Sequence, residues 1–275
     1  MDKFSFKTIL TYFFLIIGGI FMFFPFYWML ISALKTQAEL SSYPPTWWPE
    51  NWLNMENFIE AFQKAPFLIY FRNSLIVTIV CVILTTFTTI LGAFVFSRLK
   101  FPGRDFIFAS LLAFMMVPFE MLVITNYTTV AKLGLINTLA VLIIPFTTSI
   151  YYTFILRNFF ASIPDSLYYS ARIDGASNWQ YLWKVMVPIA KPSIITIMIL
   201  DAIACWNSFL WTLLVINSKN YRTLPLGLYA FTSEAGSDYK LQMAGATIIV
   251  LPMIIMFIFC RKYIVSGVSR GGLKG

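Results

Sequence analysis

The chain has 275 residues, 59% of them apolar and only 12% charged, with a mean hydropathy of +0.76. A soluble domain carries roughly twice that charged fraction, so the composition excludes an ordinary soluble enzyme and predicts a single membrane domain over residues 1–275. The net charge of +8 lies in short loops beside apolar runs, without the aromatic–basic interleaving of a nucleic-acid groove, which excludes a nucleic-acid partner.

Six runs are long enough to cross a bilayer, near Ile9–Leu34, Asn73–Ser97, Phe106–Thr125, Thr138–Leu156, Ser193–Ile216 and Gly245–Ile264. About 20 apolar residues span the hydrocarbon as a helix, and only helices or closed barrels satisfy the backbone there. The runs are too continuously apolar for barrel strands, which alternate. The expected fold is therefore an all-α membrane protein of six transmembrane helices. The first run is too long for a signal-peptide core and lacks a small-residue cleavage site, so it is expected to remain as a span.

Orientation follows from the basic residues. With the N-terminus cytoplasmic, thirteen of the twenty Lys and Arg fall in inside segments, from Lys3, Lys7 and Arg98 to Arg270 and Lys274; seven fall outside. Both termini are thus expected in the cytoplasm. After the first span, the outer segment Lys35–Arg72 carries Tyr43, Trp47, Trp48 and Trp52 with three prolines, a composition suited to an interfacial belt rather than a long helix. In the third span, Glu120 follows Pro118. A mid-span carboxylate costs about 2.5–3.5 kcal/mol, so Glu120 must face a polar cavity, a partner or the interface.

The cytoplasmic loop 157–192 is the most informative segment. Asp165 or Ser166 can cap a short helix through Asp174, placing Leu167, Ala171 and Asp174 along one side, and Gly175 permits the left-handed backbone that stops it. Ser177 or Asn178 can begin a second helix with Trp179, Leu182, Trp183 and Met186 as its apolar face, closed by Pro188 and Pro192. Such an amphipathic unit either fills a groove on a partner or lies on the lipid surface. Both readings stand on physics alone.

In the fifth span, Asp201 near its middle is a candidate for a solute pathway, and Trp206, Asn207 and Trp211 lie on adjacent turns. Tryptophan faces suit sugar C–H surfaces and an amide suits hydroxyls, but Trp in a span also serves as packing or belt. The tail 266–275 is short, Gly-rich and basic, with Arg270 and Lys274 suited to anionic lipid.

Several absences narrow the chemistry. The sequence contains no His, which removes zinc-protease motifs and every His-dependent triad. Cys81, Cys205 and Cys260 fall within apolar runs at unrelated spacings and read as packing residues. No G-x-x-x-x-G-K-[ST] occurs, so no Walker loop is expected to bind ATP phosphates, and no catalytic residue, cofactor site or metal site is expected in this chain.

Gly175 followed at a nine-residue gap by Val185-Met186-Val187-Pro188 resembles the E-A-A-x-x-x-G-x(9)-I-x-L-P signature of permease subunits of bacterial ABC importers. The flanking R-I-D-G-A-S-N-W and V-P-I-A-K-P are similar to the carbohydrate-uptake branch. So are Lys132–Thr138, Trp206–Trp211, Thr223–Gly227 and the ending Gly267–Gly275. The six runs and the tail most resemble the second permease of the maltose transporter.

The resemblance implies a type I importer permease in the bacterial inner membrane that forms half of a translocation pathway. Its implied partners are a second permease, two ATPase subunits that bind ATP and Mg, an extracytoplasmic solute-binding protein, a carbohydrate and membrane lipid. Tyr169, Ser170, Ala171, Arg172, Asp174, Gly175 and Pro188 would form the ATPase-coupling unit, and Arg270 and Lys274 a tail contact between the ATPase subunits. The family's Glu-Ala-Ala is Tyr169-Ser170-Ala171 here, so packing with Arg172 and Asp174 must replace a glutamate ion pair. Ser208 also departs from a position that is commonly acidic in the family. Two other readings are a permease for a non-sugar solute such as glycerol phosphate and an autonomous secondary transporter. The first would want cations in the pathway, which the spans almost lack.

Overall fold

The computed structural model describes residues 6–233 and 236–272. In chain order the helices are α1 (Phe6–Leu34), α2 (Gln37–Leu40), α3 (Glu56–Lys64), α4 (Phe67–Arg98), α5 (Arg104–Met115), α6 (Phe119–Lys132), α7 (Ala140–Ile143), α8 (Ile150–Ala161), α9 (Asp165–Ile173), α10 (Asn178–Tyr181), α11 (Val187–Ile189), α12 (Lys191–Trp206), α13 (Leu210–Val215), α14 (Leu224–Gly227) and α15 (Tyr239–Gly272). A two-residue hairpin, β1 (Thr232–Ser233) with β2 (Gly236–Ser237), is the one antiparallel pairing among the described residues.

Among the described residues, three helices are long and apolar enough to cross a membrane unbroken: Lys7–Leu34 in α1, Phe67–Arg98, and Tyr239–Phe259 in α15. The 29 residues of α1 rise about 44 Å at ~1.5 Å each, more than the ~30 Å hydrocarbon layer. From Ile9 to Phe24 its apolar residues are exposed on every side, as a helix meeting lipid or another membrane helix requires, and only its last turn, with Ile31, Ala33 and Leu34, is buried.

Three further apolar pairs are bent at a short break, and with each pair counted as one span the total is six. The run expected as one helix over Phe106–Thr125 is two helices, α5 and α6, bent by 97°. Pro118 supplies no N–H and forces extended backbone on its predecessor, so the helix stops at Met115 and restarts at Phe119. The run Thr138–Leu156 is likewise split. Ala140–Phe146 and α8 meet at 42°, and Ser149 in extended conformation caps α8 by accepting the Tyr152 N–H at 3.2 Å. The segment Asn178–Ile189 turns by 80° into α12, where Pro192 sits in the first turn. The run Ser193–Ile216 is also not one helix: α12 ends at Trp206 and α13 begins at Leu210.

The chain divides into two compact units, residues 1–67 with 227–252 and residues 68–226 with 253–275. In the first unit, Lys35 is only 1% exposed. Its ammonium donates to the Thr46 carbonyl and lies 4.9 Å from the Trp28 ring centre. Asn57 ties the chain by donating at 2.8 Å to the carbonyls of Ala33 and Lys35. Glu39 closes a capping box with Thr36 and also accepts the Glu50 N–H at 2.7 Å. Burial pushes the Lys35 ammonium below its ordinary range. Burial acts to raise Glu39, but the N–H donors of Glu50 and Thr36, the Thr36 hydroxyl and the Lys35 charge outweigh it and hold the carboxyl low. This polar knot fixes the stretch bearing the exposed Tyr43, Trp47, Trp48 and Trp52.

The second unit has two cores. One joins Ile90, Ala93 and Phe94 of α4 to Leu156 and Phe160 of α8, to Tyr181, Leu182 and Met186, and to Ile194 and Ile197 of α12. The other gathers Val77 and Cys81 of α4 with Val141, Leu142, Trp211, Val215 and Leu226. At Gly92 an added Cβ would lie 3.1 Å from Thr153, so glycine permits the close approach of α4 to α8.

Candidate functional site

The helix α9 ends in a Schellman motif. Ala176 N–H donates to the Ala171 carbonyl at 2.9 Å and Gly175 N–H to the Arg172 carbonyl at 3.1 Å, with Gly175 at φ +78°. Arg172 reinforces the turn by donating to the Ala176 carbonyl at 3.0 Å. Nothing lies within 4 Å of a Cβ built on Gly175, so its requirement is conformational and not steric.

The faces of α9 are sorted by packing. Tyr168 and Ala171 lean on the α4–α8–α12 core, and the Tyr168 hydroxyl meets the Asn178 side-chain oxygen at 3.1 Å. Ala171 is half-buried against that core, whereas Leu167 and Asp174, expected along the same side of the helix, are exposed. Tyr169, Ser170, Arg172 and Asp174 are exposed. Tyr169 is 57% exposed and Ile173, one turn on, is 86% exposed. Ile173 was missed in the sequence because its neighbours Arg172 and Asp174 draw attention to charge, whereas the i, i+4 spacing from Tyr169 marks an apolar pair.

A second missed residue anchors the helix. Arg98, the last residue of α4, is ion-paired with Asp165, the first residue of α9. It also donates to the Phe160 carbonyl at 2.7 Å and to the Ile163 carbonyl. One guanidinium thus joins the end of α4, the end of α8 and the start of α9. Its side chain is 5% exposed while that of Asp165 is 74% exposed. In the sequence Arg98 counts only as a basic residue at a span end, because partners more than sixty positions away leave no local trace.

The second half of the loop begins with a capping box of Ser177 and Gln180, runs through α10 into a π-helical stretch Leu182–Met186, and continues as α11, which holds the exposed Pro188. Leu182 and Met186 are buried, and Trp183 stacks on Phe87 at 6.2 Å. Trp179 is exposed and edge-on to Trp183, so of the apolar face expected here Leu182 and Met186 are buried and Trp179 is not.

The residues expected along a pathway do not converge. Glu120 is exposed in the first turn of α6, where a carboxylate complements the helix dipole. Trp206 is buried edge-on to Phe71. Asn207 is exposed at the end of α12. Trp211 is core: its indole donates to the Val141 carbonyl at 3.0 Å and its ring meets Phe119 and Phe146. The break between α12 and α13 removes the continuous helical face expected for Trp206, Asn207 and Trp211. Asp201 alone of the five lines a cavity of about 320 Å³ within the second unit, with Tyr152, Ser208, Thr212 and Thr223 also in its wall. The side chains of Arg270 and Cys260, and the whole of Lys274, lie outside the described residues. Cys81 is buried, its thiol 3.7 Å from the Leu142 carbonyl, and Cys205 is half-buried.

Comparison with known proteins agrees with this architecture. The model of the binding-protein-dependent transport system inner membrane component matches residues 3–270. The arabinooligosaccharides transport system permease protein AraQ of Bacillus subtilis is 32% identical over 278 residues, covering 98% of this chain and 96% of its own. The inner membrane ABC transporter permease protein YcjP of Escherichia coli is 34% identical, covering 92% and 91%. The diacetylchitobiose uptake system permease protein DasC of Streptomyces coelicolor is 30% identical, covering 92% of each. Among solved structures, one chain of a bacterial ABC transporter for import of the acidic polysaccharide alginate superposes with a TM-score of 0.82 at 22% identity, covering 96% and 99%. That likeness speaks to the fold.

Proposed function

The chain belongs to the binding-protein-dependent transport system inner membrane component family, and from that premise we propose that it is the permease subunit of an ATP-driven importer of sugars or oligosaccharides. The relatives named for arabinooligosaccharides and diacetylchitobiose support the substrate class. A second permease would complete the pathway, an extracytoplasmic binding protein would deliver the solute, and two ATPase subunits would bind ATP and Mg on the cytoplasmic side, where both termini lie.

The observation that carries the coupling assignment is α9. It is a short helix with an outward Tyr169–Ile173 face, stopped at Gly175 and fastened to α4 by Arg98. Such a helix seats in a groove of a soluble partner. Its movement passes to the spans as a rigid-body shift because its inner face and its first residue are both fixed to them. Arg172 and Asp174 flank the contact and supply orientation more than affinity, since exposed pairs contribute about 0–1 kcal/mol. Affinity purification of the tagged chain in mild detergent tests the reading. The expected companions are a second multi-span permease and an ATPase with a Walker motif. Recovery of the chain alone from intact membranes in several detergents overturns it.

A further inference from the structure

Asp201 is 7% exposed, and Thr223, which shares its cavity wall, is 6% exposed. The Thr85 hydroxyl faces the Asp201 carboxylate, but its Oδ2 is buried without a hydrogen-bond partner, and so is the Thr223 hydroxyl oxygen. Leaving a polar oxygen unpartnered in such surroundings is costly, and more so for a charged one. Two residues of the wall of one cavity of about 320 Å³ thus each carry an orphaned oxygen with under 1 Å² of accessible surface, hydrogen-bonding capacity that a polar guest can satisfy when these side chains turn toward it.

The wall restricts what that guest is. Among the described residues no Lys or Arg lines the cavity, and a carboxylate repels anions, so an acidic solute does not fit. Among the described residues no three His, Cys, Asp or Glu side chains converge, so the donor set does not suit a divalent metal. A carboxylate accepts two hydrogen bonds from neighbouring hydroxyls, the Thr223 hydroxyl can donate or accept, and Tyr152 and Phe146 offer ring surface to C–H groups. The volume is at the lower end of the ~300–1,000 Å³ of small-molecule sites, room for a single ring rather than a chain of them. We propose that this cavity is a solute-binding site in the permease itself, holding one neutral saccharide ring whose hydroxyls donate to Asp201 and meet Thr223. The proposal rests on the sugar-importer reading and adds to it where in this chain the solute is held.

Cys205 lies in the same wall and reports occupancy. In the complete importer with Cys81→Ala and Cys260→Ala, the rate of Cys205 alkylation by N-ethylmaleimide is measured alone and with arabinose, glucose, N-acetylglucosamine, glucose 6-phosphate or choline. At least one neutral sugar is expected to slow labelling several-fold, with no effect of glucose 6-phosphate. Asp201→Asn and Thr223→Val should remove that protection, each judged against its own labelling rate without sugar. Protection by none of the neutral sugars, protection by choline alone, protection that survives in Asp201→Asn, or no labelling at all would each overturn the site. ATP-dependent saccharide uptake by the unsubstituted importer, measured in parallel, separates the two ideas: uptake without protection sinks the cavity and leaves the importer, whereas uptake of no saccharide sinks the sugar-importer reading.

Discussion

Arg98 and Asp165, 67 positions apart, form the ion pair that fastens the first residue of α9 to the last residue of α4. The Arg98→Ala chain should still insert and assemble with its ATPase, because the outward face of α9 is untouched. The Ile163 carbonyl loses its guanidinium donor and that of Phe160 keeps the Ile163 N–H at 3.2 Å, at about 1–3 kcal/mol for a buried group left unpaired. Solute transported per ATP hydrolysed in proteoliposomes is expected to fall about 10-fold, a change worth ~1.4 kcal/mol. Arg98→Lys should recover only part of it, since an ammonium lacks the planar fork that serves several acceptors. An unchanged ratio in Arg98→Ala would remove the clamp from the coupling path.

Tyr169 and Ile173 form the apolar surface that α9 presents outward. Ile173→Asp should weaken retention of the ATPase by about 10-fold or more, and Tyr169→Ala by less, as expected where a few apolar anchors carry most of an interface. Arg172→Glu or Asp174→Lys should lower uptake without abolishing assembly. Pull-down titration against the purified ATPase distinguishes these from a lipid-facing helix, for which detergent-solubilised binding would be equal in all four variants.

Gly175 has a positive φ and open space around its α-carbon. A side chain there meets backbone strain and no clash, so Gly175→Ala should cost about 1–2 kcal/mol locally. Larger residues should cost little more than alanine. A steep dependence of uptake on side-chain size would instead show that a partner packs against this position.

Glu60 accepts from Lys240 at 2.7 Å and pairs with Lys64 at 2.8 Å, and these bonds hold its carboxyl below the ordinary 4.5. A depressed carboxylate stabilises the folded state at pH above its unfolded value, and that contribution is lost as pH falls through the folded one. Thermal melts in detergent from about pH 6 to about pH 3 should show a drop starting near 4.5 that is smaller in Glu60→Gln. Lys64 is raised, chiefly by its bond to Glu60, so its share is present below 10.5 and lost above it. An identical acid profile in Glu60→Gln would contradict this.

The helical membrane class was legible in the chain, because apolar length sets what can cross a bilayer and needs no knowledge of neighbours. The stop of α9 at Gly175 is equally local, since left-handed backbone is a property of one residue type. The family signature around Gly175 also lies within one stretch of chain. The remaining features depend on pairs far apart in number. Trp211 is a core residue because Val141, Phe119 and Phe146 surround it, although its sequence neighbourhood suits a solute just as well. Ala171 faces inward and Ile173 outward because the α4–α8–α12 core lies on one side of α9. Arg98 becomes a joint only when Asp165, Phe160 and Ile163 are brought to it. Asp201 and Thr223 share a cavity only because the breaks at Ser149 and after Trp206 turn separate helices around one space. Hydropathy and propensity act along the chain, whereas hydrogen-bond partners, cavity walls and the choice of buried face arise where distant segments meet.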